Sequence, residues 1–254
     1  MSRIGLSAAG SAAWDHLFSP PIAHRGLWSP GGAPENSLAA FEAACAGGYG
    51  IELDVRLSSD GQVVVFHDDH LARMTGAAAW VREKTAAELA ALRLKGTAQA
   101  VPSLRQVLDL VAGRALILIE IKSRPGEEGP LDEAVDAVIR DYAGPLAIIG
   151  FNPFSHAWWA EHHPSVLRGL NSHGYEDLAD TLAPEALRAL RNLDQVEMAK
   201  PHFLALGLDM LPSAPANRMR LQGYPIIAWT VRDLERGLAM EGLCDNVIFE
   251  GFLA

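Results

Sequence analysis

The chain has 254 residues, of which 49% are hydrophobic and 20% charged, and its formal net charge is −10. This composition allows a sizeable core and excludes global disorder, while the negative charge argues against non-specific binding to nucleic acid or anionic lipid, both of which need a basic surface. The first 20 residues lack a signal-peptide pattern, and no apolar run reaches about 18 residues. We therefore expect a cytoplasmic protein without a membrane span.

The first elements in chain order predict a βαβ unit. Residues 1–20 are small and polar and predict an irregular N-terminal arm. Ile22-Ala23 then forms a short apolar run, typical of a strand, which ends at His24-Arg25-Gly26. Asn36 or Ser37 can cap the helix that follows, and Gly47-Gly48 ends it before the next apolar run. A strand, a helix and a second strand in this order indicate a parallel sheet.

The segment Ile51–Asp68 predicts a hairpin that brings three functional groups together. Apolar and charged residues alternate in its first half, so Glu52 and Asp54 share one face of a strand. Asp60-Gly61 is typical of a hairpin turn, and the returning strand carries His67 back toward both carboxylates. A divalent cation would relieve the repulsion between the carboxylates, and oxygen ligands suit Mg²⁺ or Ca²⁺. A solvated edge of a sheet is the alternative unless further ligands lie nearby.

Strands and helices continue to alternate after the hairpin. Apolar runs predict six further strands, at residues 115–122, 146–151, 166–172, 203–211, 225–231 and 246–250. Without the returning hairpin arm this gives eight strands bridged by helical segments and no domain-scale linker. We predict an α/β fold, a single (β/α)8 TIM barrel over residues 21–254 with a β-hairpin insertion after the second strand. A doubly wound open sheet is the alternative, because periodicity does not reveal closure.

Polar groups lie at the carboxyl ends of these strands, where barrel enzymes place their chemistry. They are His24 and Arg25 after the first strand, Glu52 and Asp54 on the second, Glu120 and Lys122 on the third, Asn171 and His173 at the fifth, and Trp229 near the end of the seventh. Chance would not sort polar core residues to one end of successive strands. We therefore predict a functional site at this mouth, with Glu120 as the third carboxylate.

Five motifs in this order resemble those of the glycerophosphodiester phosphodiesterases. They are HRGLWSPGGAPENSLAAF, IELDV, SSDGQVVVFHDDHLARMTG, IEIK and IIAWTV, and the resemblance runs from about Pro21 to Glu250. The resemblance implies a barrel that uses one divalent metal to hydrolyse small-molecule glycerophosphodiesters to glycerol 3-phosphate and an alcohol.

Carried over by motif, the resemblance also implies roles for individual residues. They are His24 as general base and His67 as general acid, Glu52, Asp54 and Glu120 as ligands of Mg²⁺ or Ca²⁺, and Arg25 and Lys122 as phosphate-binding groups. We expect Trp229 to form a wall for the glycerol moiety, with simple core packing as the alternative. The order of the two histidines follows from the resemblance alone. Glu35 is expected to brace the loop before its helix, and His70 and His173 are equally compatible with a role beside the site or on the plain surface.

The chain departs from the family pattern at three places. Phe249-Glu250 stands where the last strand usually ends in Thr-Asp, Gly150 precedes Phe151 in place of serine, and Ser58-Ser59 replaces Thr-Lys in the hairpin. We expect the first two to affect the alcohol preference and the third to be neutral. Two other functions are compatible with the same barrel: a lysophospholipase D-like activity, which needs an apolar groove at the mouth, and non-catalytic binding, which predicts loss of a histidine or carboxylate.

Overall fold

Nine strands form one sheet in residues 8–254, the part of the chain that the computed structural model describes. The strands are β1 (Ile22–His24), β2 (Gly50–Leu57), β3 (Val63–Val65), β4 (Ile117–Ile121), β5 (Leu146–Gly150), β6 (Arg168–Ser172), β7 (Phe203–Gly207), β8 (Ile226–Val231) and β9 (Asn246–Phe249). Eight of them pair in parallel, and β1 pairs with both β2 and β9, which closes the sheet. The predicted (β/α)8 barrel is therefore confirmed, and the open sheet is excluded.

The first helix precedes the first strand, and the other helices lie between strands and cover the outside of the barrel. The helices are α1 (Ala8–His16), α2 (Leu38–Ala46), α3 (Ala72–Thr75), α4 (Ala86–Ala91), α5 (Leu104–Val111), α6 (Pro130–Ile139), α7 (Pro153–His162), α8 (Pro184–Arg191), α9 (Val196–Ala199), α10 (Ala214–Leu221) and α11 (Leu234–Ala239). Short 3₁₀ turns occur at Val81–Glu83, Leu94–Gly96, Glu176–Leu178 and Leu208–Met210. Ser37 caps α2 by accepting a hydrogen bond from the amide of Ala40, so it is the cap among the two predicted candidates. No helix in the described residues is long and apolar enough to cross a bilayer.

The N-terminal segment differs from the predicted irregular arm. Residues 8–16 form α1, and both Ala13 and Leu17 are fully buried against apolar side chains of the barrel interior. The side-chain amide of Asn246 donates to the carbonyls of Leu17 and Pro20, which anchors the segment to β9. The prediction failed because this alanine-rich segment has no apolar stripe, although alanine has the highest helix propensity. Residues 1–7 of the predicted arm lie outside the described residues.

The β2–β3 hairpin positions the carboxylates as predicted. Val55 pairs with Val65 in the antiparallel ladder, and Gly61 in the turn has a φ of +74°. Ile51, Leu53 and Val55 pack in the cluster that includes the surrounding helices. Because side chains alternate along a strand, the opposite face of β2 directs Glu52 and Asp54 into the barrel.

Candidate active site

Three buried carboxylates meet at the carboxyl ends of β2 and β4. These strands run in parallel with Asp54 opposite Glu120, and Glu52 lies two residues before Asp54 on the same face. Each of the three offers one oxygen that lies within 4.8 Å of the others. Glu52, Asp54 and Glu120 are 1%, 0% and 7% exposed, so water does not screen their charges. The structure therefore brings together the three carboxylates that the resemblance implies as metal ligands.

The charges around this cluster favour a cation. Burial, followed by repulsion from Asp54 and Glu120, holds the pKa of the Glu52 carboxyl well above its usual range. Burial also opposes ionisation of Asp54, but attraction to Lys122 and other cations outweighs it, and the pKa of Asp54 is lowered. The Oε1 atom of Glu52 is buried and accepts no hydrogen bond from any described residue. Crowded carboxylates with an unfilled oxygen fit the hard-oxygen ligand set of Mg²⁺ or Ca²⁺.

Lys122 and Arg25 place two positive charges against the carboxylates. Nζ of Lys122 lies 2.6 Å from Oε1 of Glu120 and 3.0 Å from Oδ1 of Asp54. These neighbours raise the pKa of Lys122 although burial acts in the opposite direction, so the ammonium is charged. The backbone amide of Arg25 donates to Oε2 of Glu52 at 3.0 Å, and its guanidinium Nε lies 3.4 Å from Asp54. Both cations line the same cavity as Glu52 and Glu120.

The turn that carries Arg25 depends on the glycine after it. Arg25 itself has a φ of +58°, and Gly26 has a φ of +80°. A Cβ atom on Gly26 would lie 2.9 Å from atoms of Ala40 and Phe41 at the start of α2. Only glycine combines this conformation with so close an approach. The His-Arg-Gly sequence is therefore the turn that presents His24 and Arg25 to the mouth.

His24 and His67 line one cavity of about 220 Å³, and each holds a carboxylate through its Nδ1 atom. Nδ1 of His24 lies 2.6 Å from Oε2 of Glu250, and Nδ1 of His67 lies 2.7 Å from Oδ1 of Asp68. An ionised carboxylate only accepts hydrogen bonds, so both Nδ1 atoms carry hydrogen and both Nε2 atoms are available for proton transfer. Nε2 of His24 lies 3.9 Å from Oε2 of Glu52. Burial lowers the pKa of His67, although attraction to Asp54 acts against it.

Each carboxylate that binds a histidine is also bound by an arginine. Arg73 binds both oxygens of Asp68, at 2.6 and 3.0 Å, and both oxygens of Glu35, at 2.9 and 2.6 Å. Glu35 also accepts from Nη1 of Arg25 at 2.9 Å, so it braces its loop as predicted. On the other side, Nε of Arg232 donates to Oε1 of Glu250 at 2.7 Å. These partners, although burial opposes them, lower the pKa of both Asp68 and Glu250 to about 2.

Sequence reasoning missed the carboxylate and arginine partners of the histidines. From the sequence, Glu250 is a departure from the family pattern that is expected to affect the alcohol preference, whereas in the structure its carboxylate binds His24. Asn36 is one of the two predicted caps of α2, but its side chain instead donates to Oδ2 of Asp54 at 2.8 Å. Asp68 follows His67 directly in the chain, and this adjacency was the one local signal available. Arg73 offered none, because its partners come from separate segments.

An aromatic wall lies across the mouth from the hairpin. The ring of Trp229 meets that of Phe151 edge-on at 5.6 Å, and His173 contacts both rings. Nε1 of Trp229 donates to the carbonyl of Ala205 at 2.8 Å, which fixes the indole. Trp229, Phe151 and Asn171 line the cavity that holds the two histidines. His70 instead packs edge-on against Trp80, away from this cavity.

Comparisons with known proteins place the chain in one family. The model of the glycerophosphoryl diester phosphodiesterase family matches residues 24–248. A Bacillus subtilis (strain 168) protein, provisionally named a glycerophosphodiester phosphodiesterase, is 27% identical over 87% of this chain and 90% of its own length. The glycerophosphodiester phosphodiesterase of Caldanaerobacter subterraneus is 36% identical over 53% of this chain and 58% of its own.

A solved structure agrees over almost the whole length. An Oleispira antarctica phosphodiesterase, in complex with the product sn-glycerol-3-phosphate, matches with a TM-score of 0.79 and 26% identity. The match covers 95% of this chain and 96% of that one. The chain therefore belongs to the glycerophosphoryl diester phosphodiesterase family and is an enzyme of that class.

Proposed function

We propose that this protein hydrolyses glycerophosphodiesters to glycerol 3-phosphate and an alcohol, and that His24 and His67 transfer the protons. The observation that carries the proposal is the convergence, in one cavity, of three buried carboxylates with two histidines whose Nδ1 atoms are held by carboxylates. The solved relative from Oleispira antarctica holds sn-glycerol-3-phosphate, which is the product expected from this reaction.

Glu52, Asp54 and Glu120 are the residues that would hold one divalent cation, Mg²⁺ or Ca²⁺. When bound, the cation supplies Lewis-acid chemistry by withdrawing charge from a phosphoryl oxygen. Lys122 and Arg25 line the same cavity and compensate the charge on the remaining phosphoryl oxygens. Because a phosphodiester anion repels an incoming nucleophile, this positive charge is the first requirement of the reaction.

The two histidines divide the proton transfers between them. His24 keeps hydrogen on Nδ1 for Glu250, so its Nε2 can remove the proton of the attacking oxygen. His67 keeps hydrogen on Nδ1 for Asp68, so a second proton on its Nε2 can pass to the departing alkoxide. The Trp229 and Phe151 rings provide an apolar wall for the carbon atoms of the glycerol moiety. Each residue that the resemblance implied thus has a chemical task.

Charge removal at Glu52 tests the proposed metal site. In Glu52→Gln, turnover should collapse, and the stabilisation that Mg²⁺ or Ca²⁺ gives the parent should shrink. Without metal, the variant should be no less stable than the parent, because it loses repulsion from Asp54 and Glu120. Melting curves with chelator and with excess cation, beside activity assays, measure both effects.

The control is Glu161→Gln, which removes one exposed carboxylate on the outer helix α7. It should match the parent in activity and in its response to the cation. Undiminished turnover by the chelated, metal-free parent would refute metal dependence. A lower melting temperature of Glu52→Gln in chelator, with activity retained, would show that Glu52 is a structural ion-pair partner instead.

A further inference from the structure

A second cavity, of about 430 Å³, opens beside the reaction cavity and has no task in the chemistry above. Lys122 lines both cavities, so the two meet at a proposed phosphate-binding group. The second cavity lies between the end of β2, the turn Val81–Glu83 and the segment that joins β4 to α6. Its polar side chains include Arg56, Arg82, Arg124 and Asp69. We call it the head-group cavity.

The head-group cavity lies on the side of the barrel mouth where the leaving alcohol of the substrate is expected. Lys122 follows the third barrel strand and Trp229 lies on the seventh, so they stand on opposite sides of an eight-stranded ring. Glycerol against Trp229 therefore directs the alcohol of the diester toward Lys122. The guanidinium of Arg56 donates to the backbone carbonyl of His67 at 2.8 and 2.5 Å, so the backbone of His67 lies next to a residue that lines this cavity. The side chain of His67 lines the reaction cavity, which shares Lys122 with the head-group cavity.

Four basic side chains and three acidic ones line the head-group cavity, and this small excess of positive charge favours an anion. Arg56 and Arg124 both pair with Asp69, so a single carboxylate serves two guanidinium groups. Arg82 lies with its guanidinium carbon 5.0 Å from the ring centroid of Trp80 and pairs with no carboxylate of the described residues. Two further acidic residues line the cavity and keep their charge, and each accepts a hydrogen bond from a backbone amide of its own turn. Glu127 accepts from the amide of Arg124, and Glu128 accepts from that of Gly126.

We propose that the head-group cavity binds the alcohol moiety of the substrate and that its arginines select an alcohol that carries an anionic group. This inference rests on the proposed hydrolysis of glycerophosphodiesters. Arg82 and Arg124 are the selecting residues, because both line this cavity and neither lines the reaction cavity that would hold the phosphate. A carboxylate on the alcohol meets them when the phosphodiester lies at Lys122.

Glycerophosphoserine and glycerophosphoethanolamine test this selection because they differ by one carboxylate. The parent should show the higher kcat/KM for the serine substrate. Arg82→Gln combined with Arg124→Gln should lower the ratio of the two kcat/KM values by about fivefold, the effect of losing a partly exposed charge pair. Activity on the ethanolamine substrate should change little. Arg82→Lys in place of Arg82→Gln should restore part of the ratio, since it keeps the charge.

Arg236→Gln is the matched control, because Arg236 lines a separate cavity on the far side of Trp229 and is equally accessible. It removes one positive charge near the mouth and should leave the ratio unchanged. A parent ratio near one, or a ratio that the double variant does not move, would overturn the head-group assignment alone. A preference for ethanolamine would assign the cavity to Glu127 and Glu128 and would also overturn it. Absence of turnover with either substrate would instead overturn the proposed function.

Discussion

The two histidines of the candidate site are held in similar ways by unequal surroundings. Each donates from Nδ1 to a carboxylate, and each carboxylate binds an arginine. On the His24 side, Glu250 has one contact with Arg232, whose side chain is 59% exposed. Among the described residues, Arg232 forms no ion pair with a second carboxylate. On the His67 side, Arg73 binds both oxygens of Asp68 and continues to both oxygens of Glu35.

The difference shows that His24 is positioned by strands of the barrel, whereas His67 is positioned by side-chain contacts of segments added to the barrel. β1 and β9 pair directly in the sheet, so the backbone already holds His24 near Glu250. His67 follows the short strand β3, which pairs with β2 at the hairpin and lies outside the closed ring. Arg73 supplies the missing restraint and, through Glu35, also reaches Arg25. A substitution of Arg73 should therefore affect both His67 and Arg25, whereas a substitution of Arg232 should affect only His24.

Removal of each imidazole should produce the largest effects and separate the two roles. His67→Ala should lower kcat by about 10²–10⁴-fold with a glycerophosphodiester, the range that general acid catalysis supplies. The loss of kcat in His67→Ala should be much smaller with a substrate that has a nitrophenyl leaving group, because that group departs without a proton. His24→Ala should reduce turnover of both substrates by the same factor, because each needs an activated nucleophile. Steady-state kinetics with the two substrates measure these losses.

Equal losses on both substrates in His67→Ala would show that His67 is not the acid. A leaving-group dependence confined to His24→Ala would reverse the assignment of base and acid.

Sequence patterns predicted most of the fold because parallel strands of a barrel are buried on both faces. Residues 115–122, for example, read as a continuous apolar run that ends in charged groups, and β4 lies within it. Closure depended on the pairing of β1 with β9, between segments more than 200 residues apart, and no local pattern encodes that pairing. Helix α1 escaped prediction because alanine propensity leaves no periodic stripe.

The candidate site was predictable where function coincides with strand ends. Glu52, Asp54 and Glu120 lie on the inward face of paired strands, so alternation and strand order together brought them to one place. The partners of the histidines were not predictable in this way. Glu250 lies 226 positions from His24 in the sequence. In the sequence Arg73 looks like any surface arginine, because the carboxylates that it binds are known only from the structure. Such contacts depend on tertiary packing of side chains from separate segments.

Amide substitutions of the two carboxylates should give intermediate effects. In Asp68→Asn, the amide no longer enforces hydrogen on Nδ1 of His67, so the fraction of correctly protonated acid falls. We expect a loss of kcat of about 10²-fold, the lower limit of what acid catalysis supplies, with the same leaving-group dependence as His67→Ala. Glu250→Gln should lose activity without that dependence, because it acts on the base. If both variants responded alike to the nitrophenyl substrate, the two carboxylates would not act through separate histidines.

The arginines should show the smallest effects and the clearest asymmetry in stability. Arg73→Gln breaks two bidentate contacts in a partly exposed network and should lower the free energy of unfolding by about 1 kcal/mol, whereas Arg232→Gln should change it by less than about 0.5 kcal/mol. For a chain of this size the former is a shift in melting temperature of about 2–4 °C. The Arg73 variant should also raise KM, because Glu35 then holds Arg25 less firmly.

The acid dependence of this stability difference gives an independent check. The pKa of Asp68 is lowered to about 2 in the folded protein, in large part by Arg73, whereas an unpaired aspartate has a pKa of about 4. A lowered folded-state pKa stabilises the native protein above the unfolded-state value, and that stabilisation is lost as the pH falls through the folded-state value. The difference in melting temperature between parent and Arg73→Gln should therefore be full at neutral pH and shrink as the pH falls from about 4 to about 2. Thermal unfolding of parent, Arg73→Gln and Arg232→Gln across this range measures it. A constant difference would mean that Arg73 stabilises the fold by packing and not through its carboxylates.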